Sequence, residues 1–134
     1  MRLTPVSHAV DVAGPAEKRR LRLSAGQRVL RFERLRYAGG KTRAFERSVL
    51  PFHRLPDIQV DGAQHLTLAE IAKEFGLELG KATERLTIAC APPAIAHRLN
   101  ICPAQHLLLV DRVTTTADGA PIEWCVVYAM EMSS

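Results

Sequence analysis

The chain has 134 residues, 47% of them hydrophobic and 24% charged, with a formal net charge of +4. That is the composition of one globular domain with room for a core, and it excludes a disordered or fibrous class. No apolar run reaches the roughly 18 residues of a membrane-spanning helix, and the opening MRLTPVSHAV lacks the apolar segment of a signal peptide, so the expected location is the cytoplasm.

In chain order, Val6–Val12 reads as a short leading strand, followed by a helix opened by Pro15, where a missing N–H costs nothing. Ser24-Ala25-Gly26 forms a turn. Val29–Tyr37 alternates as a strand, with Leu30, Phe32, Arg34 and Arg36 on one face and Val29, Arg31, Glu33, Leu35 and Tyr37 on the other. Gly39-Gly40 supplies a hairpin turn, and Ala44–Leu50 returns until Pro51 ends it.

Residues Pro56–Gln64 are polar and expected to form a loop. A helix follows, with the capping-box pattern Thr67-x-x-Glu70. Its apolar residues Leu68, Ile71, Ala72 and Phe75 share one face, and Gly76 ends it. A short strand is expected over Leu86–Cys90. A second proline-opened helix spans Ala94–Leu99, with Asn100 as a left-handed cap. Leu107–Thr115 is the next long strand, Asp118-Gly119 a hairpin turn, and Ile122–Tyr128 the return strand.

The two halves are related. Pro15–Arg34 matches Pro93–Arg112 without a gap, 78 positions later, with identities at seven of twenty positions, among them Arg20/Arg98, Gln27/Gln105 and Arg34/Arg112. Two such copies make a duplicated domain rather than a solenoid, which needs more and shorter repeats. The expected fold is therefore α+β: a mostly antiparallel sheet with helices on one side, internally duplicated, forming one domain over residues 1–134.

Most polar clusters have ordinary explanations. The run Lys18-Arg19-Arg20 with Arg22 reads as the solvated face of a short helix rather than a phosphate-backbone contact. Cys90, Cys102 and Cys125 are odd in number and widely spaced, so they are expected to be buried small hydrophobes rather than a disulfide framework. The five histidines show no ligand spacing, and neither metal nor cofactor is expected.

The anomaly is Arg34 with Arg36. Two guanidiniums about 7 Å apart on an apolar strand face call for carboxylates or an anion. Arginine suits either role, because its planar fork captures carboxylate or phosphate bidentately. Glu46 on the returning strand is one candidate partner, and a structural Arg34–Glu46 pair is the plain alternative. Arg112 in the second copy argues for a scaffold role at Arg34, whereas Arg36 is replaced there by Thr114. Glu123, among apolar neighbours, is either a ligand acceptor or an exposed acid at a strand start. Trp124 and Phe45 are expected in the core. Ser48 has no histidine placed to activate it and no nucleophile elbow around it.

The ordered set Arg34-Leu35-Arg36, Glu46 with Ser48–Pro51, Phe75-Gly76-Leu77, Ala94-Ile95-Ala96 with Leu99, Asp111-Arg112 and Asp118–Glu123 resembles the UTRA effector-binding domain of GntR-type transcriptional regulators, HutC subfamily. The resemblance covers nearly the whole chain. It implies a chorismate-lyase-like fold and a non-enzymatic sensor that binds a small anionic metabolite, a sugar phosphate or a carboxylic acid, and forms a homodimer. DNA would be met only through a winged helix-turn-helix absent from this chain, and the last strand of the family would be cut short. By the same resemblance Arg34 and Arg36 hold the anion, and Glu46 and Glu123 read its polar groups. Tyr128 is the late tyrosine, displaced by one position. Thr67 is the hydroxyl nearest to where sugar-phosphate binders carry serine and tyrosine; leucines stand at those positions here. A chorismate-lyase-type enzyme and a ligand-free dimerisation module are the alternatives.

Overall fold

The computed structural model describes residues 2–130. The elements are β1 (Arg2–Val12), α1 (Pro15–Leu21), β2 (Arg28–Ala38), β3 (Lys41–Pro51), a 3₁₀ turn (Phe52–Arg54), α2 (Val60–Ala63), α3 (Leu68–Glu74), β4 (Leu79–Cys90), α4 (Pro93–Leu99), β5 (His106–Thr116) and β6 (Pro121–Ala129). The six strands form one sheet in the order β1-β2-β3-β6-β5-β4, with every neighbouring pair antiparallel. The class is the expected α+β.

The topology repeats with the sequence. Strand, helix and hairpin follow one another twice, and the hairpins meet at β3 and β6 in the middle of the sheet. The helices also end alike: Arg22 (φ 52°) closes α1 and Asn100 (φ 59°) closes α4, both left-handed. In each, the next residue reaches back along the helix, Leu23 N–H to Lys18 O at 2.9 Å and Ile101 N–H to Ala96 O at 3.0 Å. These bonds satisfy carbonyls that a helix end leaves orphaned. Gly39 and Gly40 both take positive φ (60° and 74°), as a tight hairpin whose twist matches its strands demands.

The even-numbered positions of β2 pack Leu30 and Phe32 with Leu50, Ile122, Leu55, Ala63 and Ile71 into one core. The odd-numbered positions pack on the other side. There Val29 meets Val49 and Leu21 of α1, and Leu35 meets Phe45, Leu107 and Ile95, Ala96 and Leu99 of α4. Both repeat helices thus share one face, and the connector with α2 and α3 lies against part of the other.

Three local expectations change. β1 begins at Arg2, because an edge strand tolerates Pro5 and a bulge between Pro5 and Ser7 absorbs it. β4 begins at Leu79 rather than Leu86; it is an edge strand exposed along most of its length, so its sequence lacks alternation, and its pairing with β5 defines it. The polar stretch before Thr67 contains the one-turn helix α2. Of the cysteines only Cys125 is buried; Cys90 and Cys102 are exposed, being on or beyond an edge strand. The basic run stitches the second half to the first. The Arg20 guanidinium lies 5.3 Å from the Trp124 ring centroid and pairs with Asp111, and Arg22 donates to Gly119 O at 2.6 Å. Among the described residues no helix is long and apolar enough to cross a membrane.

Candidate functional site

The connector-bearing face of the sheet holds a set of buried polar side chains. Antiparallel register sets Arg34 opposite Glu46 on β3, and Glu123 and Cys125 approach from β6 beyond it. Arg34, Glu46 and Glu123 are 2%, 3% and 5% exposed. Such burial requires full pairing, since an isolated charge away from water is prohibitively costly.

Arg34 meets that requirement within the protein. Its Nη2 donates to Glu46 Oε2 at 2.7 Å and its Nε to the same oxygen at 3.2 Å. Its Nη1 donates to the carbonyls of Gln64 (3.2 Å) and Leu66 (2.5 Å). The residue therefore clamps the loop leading into α3 onto the sheet. Glu46 is shared: its Oε1 accepts from Arg36 Nε at 2.6 Å. Burial pushes the Glu46 carboxyl up, but the Arg34 and Arg36 guanidiniums outweigh that and hold it below the usual carboxylate range.

Glu123 has the opposite balance. Burial drives its pKa up, helped by the nearby Glu46 charge, against the Ser48 hydroxyl, which donates to Oε2 at 2.5 Å, and the more distant Arg34 and Arg112. Burial likewise raises the Cys125 thiol, and the two glutamates add to it. The thiol is thus a poor nucleophile.

These groups line a cavity of about 220 Å³ closed on one side by the start of α3. Arg34, Arg36, Glu46, Thr67 and Glu123 of the expected set come together there, with Arg112 and Cys125 joining them. Thr67 is the N-cap of α3, and its Oγ1 accepts from the Glu70 N–H at 3.2 Å while lying 3.1 Å from Glu70 Oε1. Its hydroxyl is already engaged in the capping box. Tyr128 does not join them. It stands opposite Phe45 and packs in the α4-side core, because strand parity puts it on the other face from Glu123 and Cys125. Glu123 is a buried strand residue rather than an exposed one.

A wider groove of about 370 Å³ lies between α1, Pro51 and the 3₁₀ turn, but it gathers no buried ionised pair. The smaller cavity is the better candidate, because there charge, burial and concavity coincide. Its volume lies below the several hundred Å³ typical of drug-sized ligands and suits a small metabolite. Arg112 lining the cavity was not expected; its match to Arg34 in the repeat was the available signal.

The family model for the UTRA domain matches residues 4–130. Among solved structures, a GntR-family transcriptional regulator from Enterococcus faecalis V583 superimposes with a TM-score of 0.88 at 21% identity, covering 98% of each chain. The effector domain of PhnF from Mycobacterium smegmatis superimposes with a TM-score of 0.89 at 18% identity, covering 99% of this chain and 87% of that one. Against a longer PhnF chain the score is 0.89 at 20% identity, and 98% of this chain spans 60% of that one.

Proposed function

Because the chain belongs to the UTRA domain family, we propose that it is the effector-sensing domain of a transcriptional regulator, and that a small anionic metabolite is its signal. The observation that carries this reading is the placement of Arg36. Its Nε is engaged by Glu46, it lines the cavity, and its side chain remains 28% exposed. Among the described residues its two Nη groups have no protein acceptor, so a fork suited to carboxylate or phosphate faces the cavity. Arg34 and Glu46 form the rigid frame beneath it. Glu123, held toward its neutral form, would act as a hydrogen-bond donor or acceptor to the ligand's polar groups.

The anion is either a sugar phosphate or a carboxylic acid; the engaged Thr67 hydroxyl and the leucines beside it leave both open. Ligand binding shifts the population of dimer arrangements, which moves attached DNA-binding domains, and it does so only by favouring one arrangement. A surface for the second copy is available. β4 exposes Leu86 (58%) and Ile88 (69%), opposite Val110 and Leu108 on β5, and monomeric proteins seldom leave such apolar edge strands uncovered.

The test is a thermal-shift screen of small anions on the isolated chain. A responding anion should lose its effect in Arg36→Ala while the apo protein remains folded. An undiminished response in that variant overturns the assignment. Turnover of chorismate to an aromatic acid would favour an enzyme instead. Ser48 is bonded to Glu123 and no histidine lines the cavity among the described residues, so the site holds no activated serine nucleophile.

A further inference from the structure

The repeat gives Arg34 and Arg112 the same place in the two halves, and the structure gives them different surroundings. Opposite Arg34 on the return strand stands Glu46; opposite Arg112 stands Cys125. All three guanidinium nitrogens of Arg34 are engaged by protein acceptors. Among the described residues the Arg112 side chain makes one hydrogen bond, from Nε to Glu84 Oε1 at 2.8 Å, and Glu84 lies on the exposed edge strand β4. The Arg112 side chain is 30% exposed and lines the same cavity as Arg36. Its charge reaches the interior of that cavity, where it lowers the pKa values of Glu123 and Cys125 against their burial.

Two arginines, one from each half of the duplicated sheet, therefore converge on one recess with their Nη groups without protein acceptors among the described residues. We infer that Arg112 is an anion-binding residue of this site, that it grips the ligand jointly with Arg36, and that Glu84 is its competitor when the site is empty. Cys125 stands opposite Arg112 where Glu46 stands opposite Arg34, so no carboxylate faces Arg112 directly from β6 and its Nη groups are left to a ligand. The cavity lining sets three arginines, Arg34, Arg36 and Arg112, against two carboxyls, Glu46 and Glu123, which leaves a cationic surplus. The matching chemistry is a small dianionic group with several acceptor oxygens, which two forks can hold from two sides. This inference rests on the effector-site reading above, and the experiment separates the two.

Inorganic phosphate and succinate are titrated into the intact chain by calorimetry at constant ionic strength, for wild type and for Arg36→Gln, Arg112→Gln, Arg112→Lys and Glu84→Gln. Saturable binding of one probe is expected, and which probe it is separates a phosphate from a dicarboxylate site. Arg112→Gln and Arg36→Gln should each weaken it about tenfold, and Arg112→Lys should weaken it too, because it keeps charge but not the fork. Glu84→Gln, on an exposed strand, should tighten binding about twofold by removing the competitor. Should Arg112→Gln fail to fold, the lysine and Glu84 variants decide the matter. Unchanged affinity in both Arg112 variants with loss in Arg36→Gln overturns the role of Arg112 and leaves the site reading intact. No saturable binding of either probe, or binding insensitive to both arginines, overturns both.

Discussion

Arg34 and Glu46 face each other across the β2–β3 pair, the Nη2 of one 2.7 Å from the Oε2 of the other, and both are almost wholly buried. Glu46 also holds Arg36, so one carboxylate organises two guanidiniums of different kinds: one closed off inside the protein, the other open to the cavity. The two arginines should respond differently to removal. Arg34→Ala strands part of a buried carboxylate's pairing and releases the carbonyls of Gln64 and Leu66; the expected loss is about 3–5 kcal/mol in chemical denaturation. Arg36→Ala should cost only about 1 kcal/mol, since Arg34 still pairs the glutamate. Equal losses in the two variants would contradict this division of roles.

The two buried glutamates should give pH dependences of opposite sign. Glu46 has a folded-state pKa below its ordinary 4.5, so its ion pairs stabilise fully above that pH and are lost as pH falls through the lower, folded value. Glu123 has a folded-state pKa above 4.5, so its contribution is complete in acid and declines as pH rises from 4.5 through the folded value. Glu123→Gln keeps a neutral partner for Ser48 and removes that decline. Melting curves across pH should show the variant gaining on wild type steadily as pH increases from 4.5. A constant offset would mean the carboxyl is already ionised in the fold.

Thr67 has a structural duty that can be measured separately from ligand binding. Its side chain and that of Glu70 cap each other's backbone N–H groups at the start of α3, the helix that carries Ile71 and Ala72 into the core. Thr67→Ala should cost about 1 kcal/mol, and Thr67→Ser markedly less. If alanine proves neutral in denaturant titrations, the capping box contributes nothing to stability.

Much of this arrangement was legible in the sequence because strand parity is a strict constraint. Alternation from Leu30 to Arg36 put Arg34 and Arg36 on one face, and the pairs Gly39-Gly40 and Asp118-Gly119 fixed both hairpins, after which Glu46 had to lie close to Arg34. The capping box and the left-handed Asn100 were readable from local chemistry alone. Elements without a buried face were not. β4 is exposed over both faces, carries Lys81, Glu84 and Arg85 without alternation, and is a strand because β5 offers it an edge. The same exposure explains Cys90, whose residue type suggested burial. Tyr128 shows how sharp parity is: one position separates the cavity face from the α4 core, and its register with Phe45 puts it in the core. Arg112 was visible as a repeat of Arg34, but its different surroundings come from Cys125 standing opposite it where Glu46 stands opposite Arg34, a relation between distant residues that spacing does not reveal.

Gly80 marks where β4 meets the end of β5. A Cβ built there would lie 2.7 Å from Thr116 O and 3.0 Å from its carbonyl carbon, both backbone atoms that cannot rotate away. The register shift between Leu79 and Ala82 sits at the same place. Gly80→Ala should therefore destabilise by about 1–3 kcal/mol through forced separation of the strands. Faster amide exchange at the β4–β5 pairing than at β2–β3 would locate the damage, and an unperturbed variant would show that the strands part without cost.

The outer strand also bears on assembly. Leu86 and Ile88 lie on the sheet face left open beyond the connector, next to Val110 and Leu108 across the β4–β5 pair. Burying two such side chains against a second copy is worth about 1.5–3 kcal/mol each, enough to change a dissociation constant by several orders of magnitude if both are central. On the proposed assembly through this strand, wild type should sediment as a dimer and the double variant Leu86→Asp with Ile88→Asp as a monomer at the same concentration. It should retain its fold, since neither residue contributes to the buried clusters. Anion binding should survive in that monomer, because Arg34, Arg36, Glu46, Arg112 and Glu123 already meet around the cavity within one copy, while any coupling between ligand and assembly state disappears. A variant that remains dimeric would move the interface to another part of the surface.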